Sequence, residues 1–181
     1  GYRVAVTQSN SSLPLARLRV LDLTTGVSGG YASKLLADAG ADVLKVELPG
    51  GDPLRSRGRV GDSFDASGDG LLFRYLHTSK RSCVLDLDHE PGKQMLLGLY
   101  AECDLVLDST AEGWLEALAL GESALAGVNP AASFLSITAF GRGGAWSTRP
   151  ANDFTLQAWC GSTSARGRAG LPPLHAGGEV G

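Results

Sequence analysis

Short apolar strands alternate with helical stretches along this chain, and that alternation limits the fold more than any other feature. Residues 19–24 (RVLDLT) read as a strand, 25–30 (TGVSGG) as a glycine-rich turn, and 31–39 as a helix with Leu35, Leu36 and Ala39 at helical spacing. Gly40 stands where a C-cap glycine belongs, and residues 42–48 (DVLKVEL) form the next strand. A strand–turn–helix–strand unit of this size implies a parallel pair joined by a right-handed crossover. The alternation continues with strands at 82–87, 104–108 and 133–140. Helical stretches fall at 91–103, at 114–118, at 123–128 before Asn129-Pro130, and at 152–166, where Asn152 or Asp153 is placed to cap. Strands that are almost continuous apolar runs, separated by helices, predict an α/β fold: a Rossmann-like parallel sheet with helices on both faces.

The length of 181 residues suffices for one domain with a hydrophobic core, and 43% hydrophobic with 19% charged residues excludes a disordered chain. A net charge of −3 gives no electrostatic reason to expect nucleic acid or an anionic membrane as partner. No apolar run approaches the roughly 18 residues of a membrane span, and residue 1 opens no apolar signal core. Cys83, Cys103 and Cys160 are odd in number and far apart, without metal-ligand spacing. A cytoplasmic setting with no bound metal is the expectation. Residues 1–14 (GYRVAVTQSNSSLP) read as a linker or leader. The chain opens without an initiator Met and stops inside GGEVG, so a segment of a longer polypeptide is expected.

The long loop 50–70 follows the C-terminal end of the second strand, the edge where open parallel sheets bind ligands. Within it, RSRGR (residues 55–59) reads as a solvated or phosphate-facing stretch. The turn at 26–30 would let a phosphate approach the backbone at a helix N-terminus. Glu47 sits where a ribose-binding acid would sit, so an NAD-dependent oxidoreductase is one reading. The turn is not a clean GxGxxG, which makes that reading the outsider.

A wider pattern is more specific. RVLDLT with its glycine-rich turn is followed in order by LLADAGADVLKVELPGGDPLR, KRSCVLDLDHEPGK and DLVLDS. The later pieces are SFLSITAFGRGG, RPANDFTLQAWCGSTS and LPPLHAGGEVG. In order and spacing, residues 15–181 resemble the N-terminal half of the family III CoA-transferases, a superfamily that includes formyl-CoA transferase, carnitine CoA-transferase and α-methylacyl-CoA racemase. The resemblance implies a truncated large domain that binds CoA, with acyl-CoA and a carboxylic acid as substrates and no permanently bound cofactor. It also implies an interlocked homodimer or, in tandem members, a second domain in the same polypeptide. CoA-contacting positions of the family match Val27, Ser28, Leu48, Leu85, Ser109 and Thr138, and its basic pair matches Lys80 and Arg81. That pair reads equally as phosphate-facing or as a solvated strand entrance. Three positions depart: Ser109 stands where the family often has asparagine, Ala117 where formyl-CoA transferase has an arginine and Thr138 where that enzyme has a lysine. The last two remove charge-assisted contacts to a polyanionic ligand.

The catalytic aspartate of the family matches Glu179. A carboxylate is ionised at neutral pH and attacks a thioester without a base, and the adjoining glycines supply N–H groups for an oxyanion. Two readings of Glu179 stay open: a catalytic nucleophile one methylene longer than usual, or a solvated residue in a degenerate, non-catalytic half that serves assembly. The racemase branch needs a histidine where this chain has Asn152, and an amide does not exchange protons at neutral pH. His175 is the only nearby histidine, and a lone loop histidine reads as solvated. Asp153 reads as a helix cap rather than a second nucleophile.

Overall fold

The structure, a computed structural model, describes residues 13–57 and 69–177. The chain divides into two compact units, Gly1–Ile137 and Thr138–Gly181. The first holds a five-stranded sheet in the order β3-β2-β1-β4-β5, formed by β1 (Arg19–Leu23), β2 (Asp42–Glu47), β3 (Arg81–Val84), β4 (Leu105–Asp108) and β5 (Ser133–Ser136). Every pairing is parallel, with Leu21 opposite both Leu44 and Val106. The chain winds outward from β1 to β3 and then returns to the other side of β1 for β4. The strand order therefore reverses between β1 and β4, the position at which a doubly wound sheet opens a crevice at its C-terminal edge.

Side chains of a strand alternate between faces, and the two faces of β1 carry different cores. Val20 packs with Val43, Leu107, Ala37 and Ala41 beneath α1 (Gly26–Asp38). Leu21 and Leu23 face Leu96 and Tyr100 of α3 (Glu90–Glu102), Leu115 of α4 (Trp114–Ala117) and Leu125 of α5 (Glu122–Val128). The short α2 (Leu71–Leu76) supplies Phe73 and Leu76 to a third cluster with Leu54. Helices therefore cover both faces, as the pattern of strands and helices predicts.

Element limits depart from the sequence reading for identifiable reasons. Residues 26–30 are not a turn but the first turn of α1. Gly29 lets that helix start close against the exit of β1: a Cβ there would overlap the Thr24 side chain. β5 stops at Ser136 rather than residue 140 because its partner among the described residues, β4, offers four residues, Leu105–Asp108, to pair with. β3 runs Arg81–Val84 rather than 82–87 because β2 ends at Glu47, opposite Val84. In the second unit α6 spans Asp153–Trp159 instead of 152–166, ended by Cys160 and by Gly161 in the left-handed region at φ 80°.

Helix α3 has no glycine to close its C-terminus. Asn129 does so from the end of α5, its Nδ2 donating to the carbonyls of Tyr100 (3.1 Å) and Cys103 (2.8 Å). Replacing it leaves two end carbonyls without that donor. Asn129→Ala is expected to cost about 1–2 kcal/mol of stability, read as a lower urea midpoint at unchanged slope.

Candidate functional site

The C-terminal edge of the sheet carries a cleft of about 80 Å³. Leu23, Val46, Leu87, Trp114 and Leu115 give it an apolar floor, and Thr25, Leu48, Gly51 and Thr110 stand at its walls. Across the switch point the exits of β1 and β4 are tied together, because the Thr25 N–H donates to the Ser109 hydroxyl at 2.9 Å. Ser109 thus fixes the crevice between the two strands, and Leu48, 44% exposed, projects beside it.

The charges in the cleft wall are already paired. Lys45 is buried, donates to the Thr24 carbonyl at 2.7 Å and forms an ion pair with Asp52 at 3.0 Å. Glu47 accepts from Arg55 through Nε and an Nη, both at 2.7 Å, and from the Asp52 N–H at 3.0 Å. Burial works to raise the Glu47 pKa, but Arg55 and the Asp52 amide outweigh it and hold the carboxyl below its usual value. Arg55 is raised by Glu47, and its other Nη grips Asp69 at 2.9–3.0 Å. The acid that a dinucleotide would need for its ribose is therefore engaged by protein on both oxygens. Arg55, the first residue of the RSRGR stretch, faces Glu47 and Asp69; residues 58 and 59 lie outside the described residues.

The remaining positions singled out in the sequence are dispersed. Val27 is partly buried against the Leu54 cluster, and Ser28 is exposed on the first turn of α1. Leu85 is buried just beyond β3, its N–H bonded to the Glu47 carbonyl at 2.8 Å. Arg81 enters β3 at the opposite, N-terminal edge of the sheet and pairs with Asp42 at 2.7–3.0 Å. Thr138 belongs to the second unit, where its hydroxyl accepts from the Gly141 N–H at 2.7 Å. Glu179 lies outside the described residues. Asn152 caps α6 through its side chain in a reciprocal capping box with Thr155, while Asp153 sits inside the helix and bonds to Gln157 at 2.6 Å.

Lys80 is neither solvated nor turned toward the cleft. Its side chain is 0% exposed, and its ammonium meets Ser33 Oγ (2.6 Å), the Gly30 carbonyl (2.9 Å), His77 Nδ1 (3.1 Å) and Asp22 (3.4 Å). Burial lowers its pKa to about 8 against the pull of Asp22. This cluster escaped the sequence reading. Its only signals were charged residues inside apolar strands, Asp22 in RVLDL and Lys45 in DVLKVE. Among the described residues no group of three or more His, Cys, Asp or Glu is placed to hold a metal ion, and no helix is long and apolar enough to cross a membrane.

Residues 15–181 match CoA-transferase family III. The chain belongs to that family. A subunit of succinyl-CoA:(R)-benzylsuccinate CoA-transferase from Thauera aromatica is 37% identical over 164 residues, covering 89% of this chain and 39% of the relative. Formyl-CoA:oxalate CoA-transferase from Streptomyces coelicolor is 35% identical, covering 92% of this chain and 40% of its own. Among solved structures, a CAIB/BAIF family protein from Brucella suis superposes with a TM-score of 0.85 at 32% identity, covering 92% of this chain and 44% of that protein. The chain thus spans about two-fifths of the length of these curated family III relatives.

His77 makes the Lys80 cluster sensitive to acid. Burial first, and then the charges of Lys80 and Lys45, lowers its pKa from 6.5 to about 4. Between those values the unfolded chain binds a proton that the folded chain does not, so stability falls as pH falls through that window. The loss is expected to reach on the order of 3 kcal/mol by about pH 4. Melting curves of wild type and His77→Gln against pH check this, the variant giving the shallower slope.

Proposed function

We propose that the full-length protein is a CoA-transferase that moves CoA from an acyl-CoA thioester to a carboxylic acid through intermediates on Glu179. The observation that carries this reading is the cleft at the switch point, in a chain of family III. Its floor is apolar and its wall charges, Lys45 with Asp52 and Glu47 with Arg55, are mutually neutralised. Such a lining suits an uncharged portion of CoA, the adenine ring or the pantetheine arm, better than the pyrophosphate. Leu48 and Ser109 border that portion. Lys80 and Arg81 act structurally, one beneath α1 and one at the far edge.

In the reaction the Glu179 carboxylate attacks the thioester carbonyl, the C–S bond breaks, and a mixed anhydride and CoA thiolate result. The thiolate attacks the glutamyl carbonyl of the anhydride, releasing the donor acid and leaving a glutamyl-CoA thioester. The acceptor carboxylate attacks that thioester to give a second anhydride and thiolate. Attack of the thiolate on the acceptor carbonyl yields the new acyl-CoA and restores Glu179. Substrate is held between two copies of the chain in an interlocked homodimer, or between tandem domains, in the cytoplasm. No resident cofactor takes part.

A second reading, a degenerate half that serves assembly, draws on Ala117 and Thr138 in place of cations and on Glu179 in place of aspartate. Trapping separates the two. Full-length protein treated with succinyl-CoA and hydroxylamine is expected to carry a hydroxamate on the Glu179 peptide by mass spectrometry, and Glu179→Gln to abolish it. Transfer activity unchanged in Glu179→Gln would favour the degenerate half.

A further inference from the structure

The end of β2 carries a carboxylate whose charge is cancelled by a residue from the loop that follows. Glu47 lines the cleft, with its side chain 2% exposed. Its Oε1 accepts from one Nη of Arg55 at 2.7 Å, and its Oε2 accepts from Arg55 Nε at 2.7 Å and from the Asp52 N–H at 3.0 Å. Two N–H···O bonds from one guanidinium to one carboxylate make a strong and directional pair. Arg55 is itself held on two further sides. Its second Nη bonds to both oxygens of Asp69, at 2.9 and 3.0 Å, and its guanidinium lies over the Phe73 ring, 4.0 Å from the centroid. Stacked on a ring and bonded at both ends, the planar fork has one orientation.

The carboxylate and the cation that covers it have opposite consequences for a ribose. At the end of the second strand of a doubly wound sheet a free acid binds ribose hydroxyls, whereas a phosphorylated ribose is accommodated by an arginine. CoA differs from NAD at this group, because its adenosine ribose carries a 3′-phosphate. Brought near an uncompensated Glu47, that phosphate would meet like charge in a wall of low dielectric. The remaining wall charges do not change the sign: Lys45 is paired with Asp52 at 3.0 Å, and Asp69 adds negative charge at the other end of Arg55. With Arg55 in place, Glu47 presents a ribose with neither an open acceptor nor an unbalanced charge.

We infer that Arg55 is a specificity-determining residue of the cleft, acting through Glu47: it cancels that carboxylate, so that a ribose bearing a phosphate is admitted and a free diol loses its acceptor. This rests on the proposed reading of the cleft as a CoA site, and adds the residue that sets CoA apart from dephospho-CoA. Specificity is a difference of two affinities, so the device acts on their ratio.

The test is calorimetric titration of the full-length protein with CoA and with dephospho-CoA, which differ only in the 3′-phosphate. Titrations are run at about pH 8, where the Asp52 N–H and Lys45, which both lower the Glu47 pKa, keep a carboxylate released from Arg55 ionised. Arg55→Met keeps an apolar stem over Phe73 and uncovers Glu47, and the ratio of CoA to dephospho-CoA affinity is expected to fall at least about tenfold. Adding Glu47→Gln removes the uncovered charge at nearly constant shape and is expected to return the ratio to within about threefold of wild type. Glu47→Gln alone leaves Arg55 opposed only by Asp69 and is expected to raise the ratio. A residue that merely held the loop would weaken both ligands alike in every variant. If Arg55→Met does not fold, Glu47→Gln alone is read in its place, with the ratio moving in the opposite sense. An unchanged ratio in the folded single variant, or a ratio that stays low in the folded double variant, would overturn the role of Arg55 and leave the CoA site standing. Wild type that binds neither ligand would overturn the CoA reading of the cleft, and the role of Arg55 with it.

Discussion

A single buried carboxylate, Asp22 in the middle of β1, holds the C-terminal edge of the sheet in register with the helix above it. One oxygen accepts from the N–H and hydroxyl of Thr24, at 3.0 and 2.5 Å, which fixes the exit of β1. The other accepts from Ser33 of α1 at 2.5 Å and faces Lys80, the residue before β3, at 3.4 Å. Strand, crossover helix and a third strand 58 residues away therefore meet at one side chain. A buried charge is costly unless paired and fully hydrogen-bonded, and stripping one partner from such a pair costs about 3–5 kcal/mol. The network continues toward the edge through Lys45–Asp52 and then Glu47–Arg55–Asp69. Its far end is the cleft wall, so the geometry of the site follows from the way the sheet satisfies its buried charges.

This organisation sets the surface that the cleft presents to a ligand. Glu47 has the position of a ribose-binding acid, but Arg55 has already claimed both of its oxygens. The charges that remain near the floor cancel in pairs, and the surface presented is apolar.

The order of strands and helices was legible in the sequence because hydrophobic period and turn chemistry are local. Element limits were less so where a neighbour decides them. The apolar run 133–140 continues past the point where β4 can pair with it, and residues 26–30 read as a turn although they open α1, where Gly29 packs closely on Thr24. The family positions could be located one by one, but not their environments. Nothing near Lys80 in the sequence announces Asp22 or Ser33. Asp22 and Lys45, charges inside apolar strands, were the visible trace of the buried network.

The central proposal is that the switch-point cleft takes CoA in preference to a dinucleotide. Calorimetric titration of the full-length protein with acetyl-CoA and, separately, with NAD tests it most directly. The account predicts that acetyl-CoA binds and that NAD binds more weakly or not at all. Tight NAD binding with no response to acetyl-CoA would contradict it.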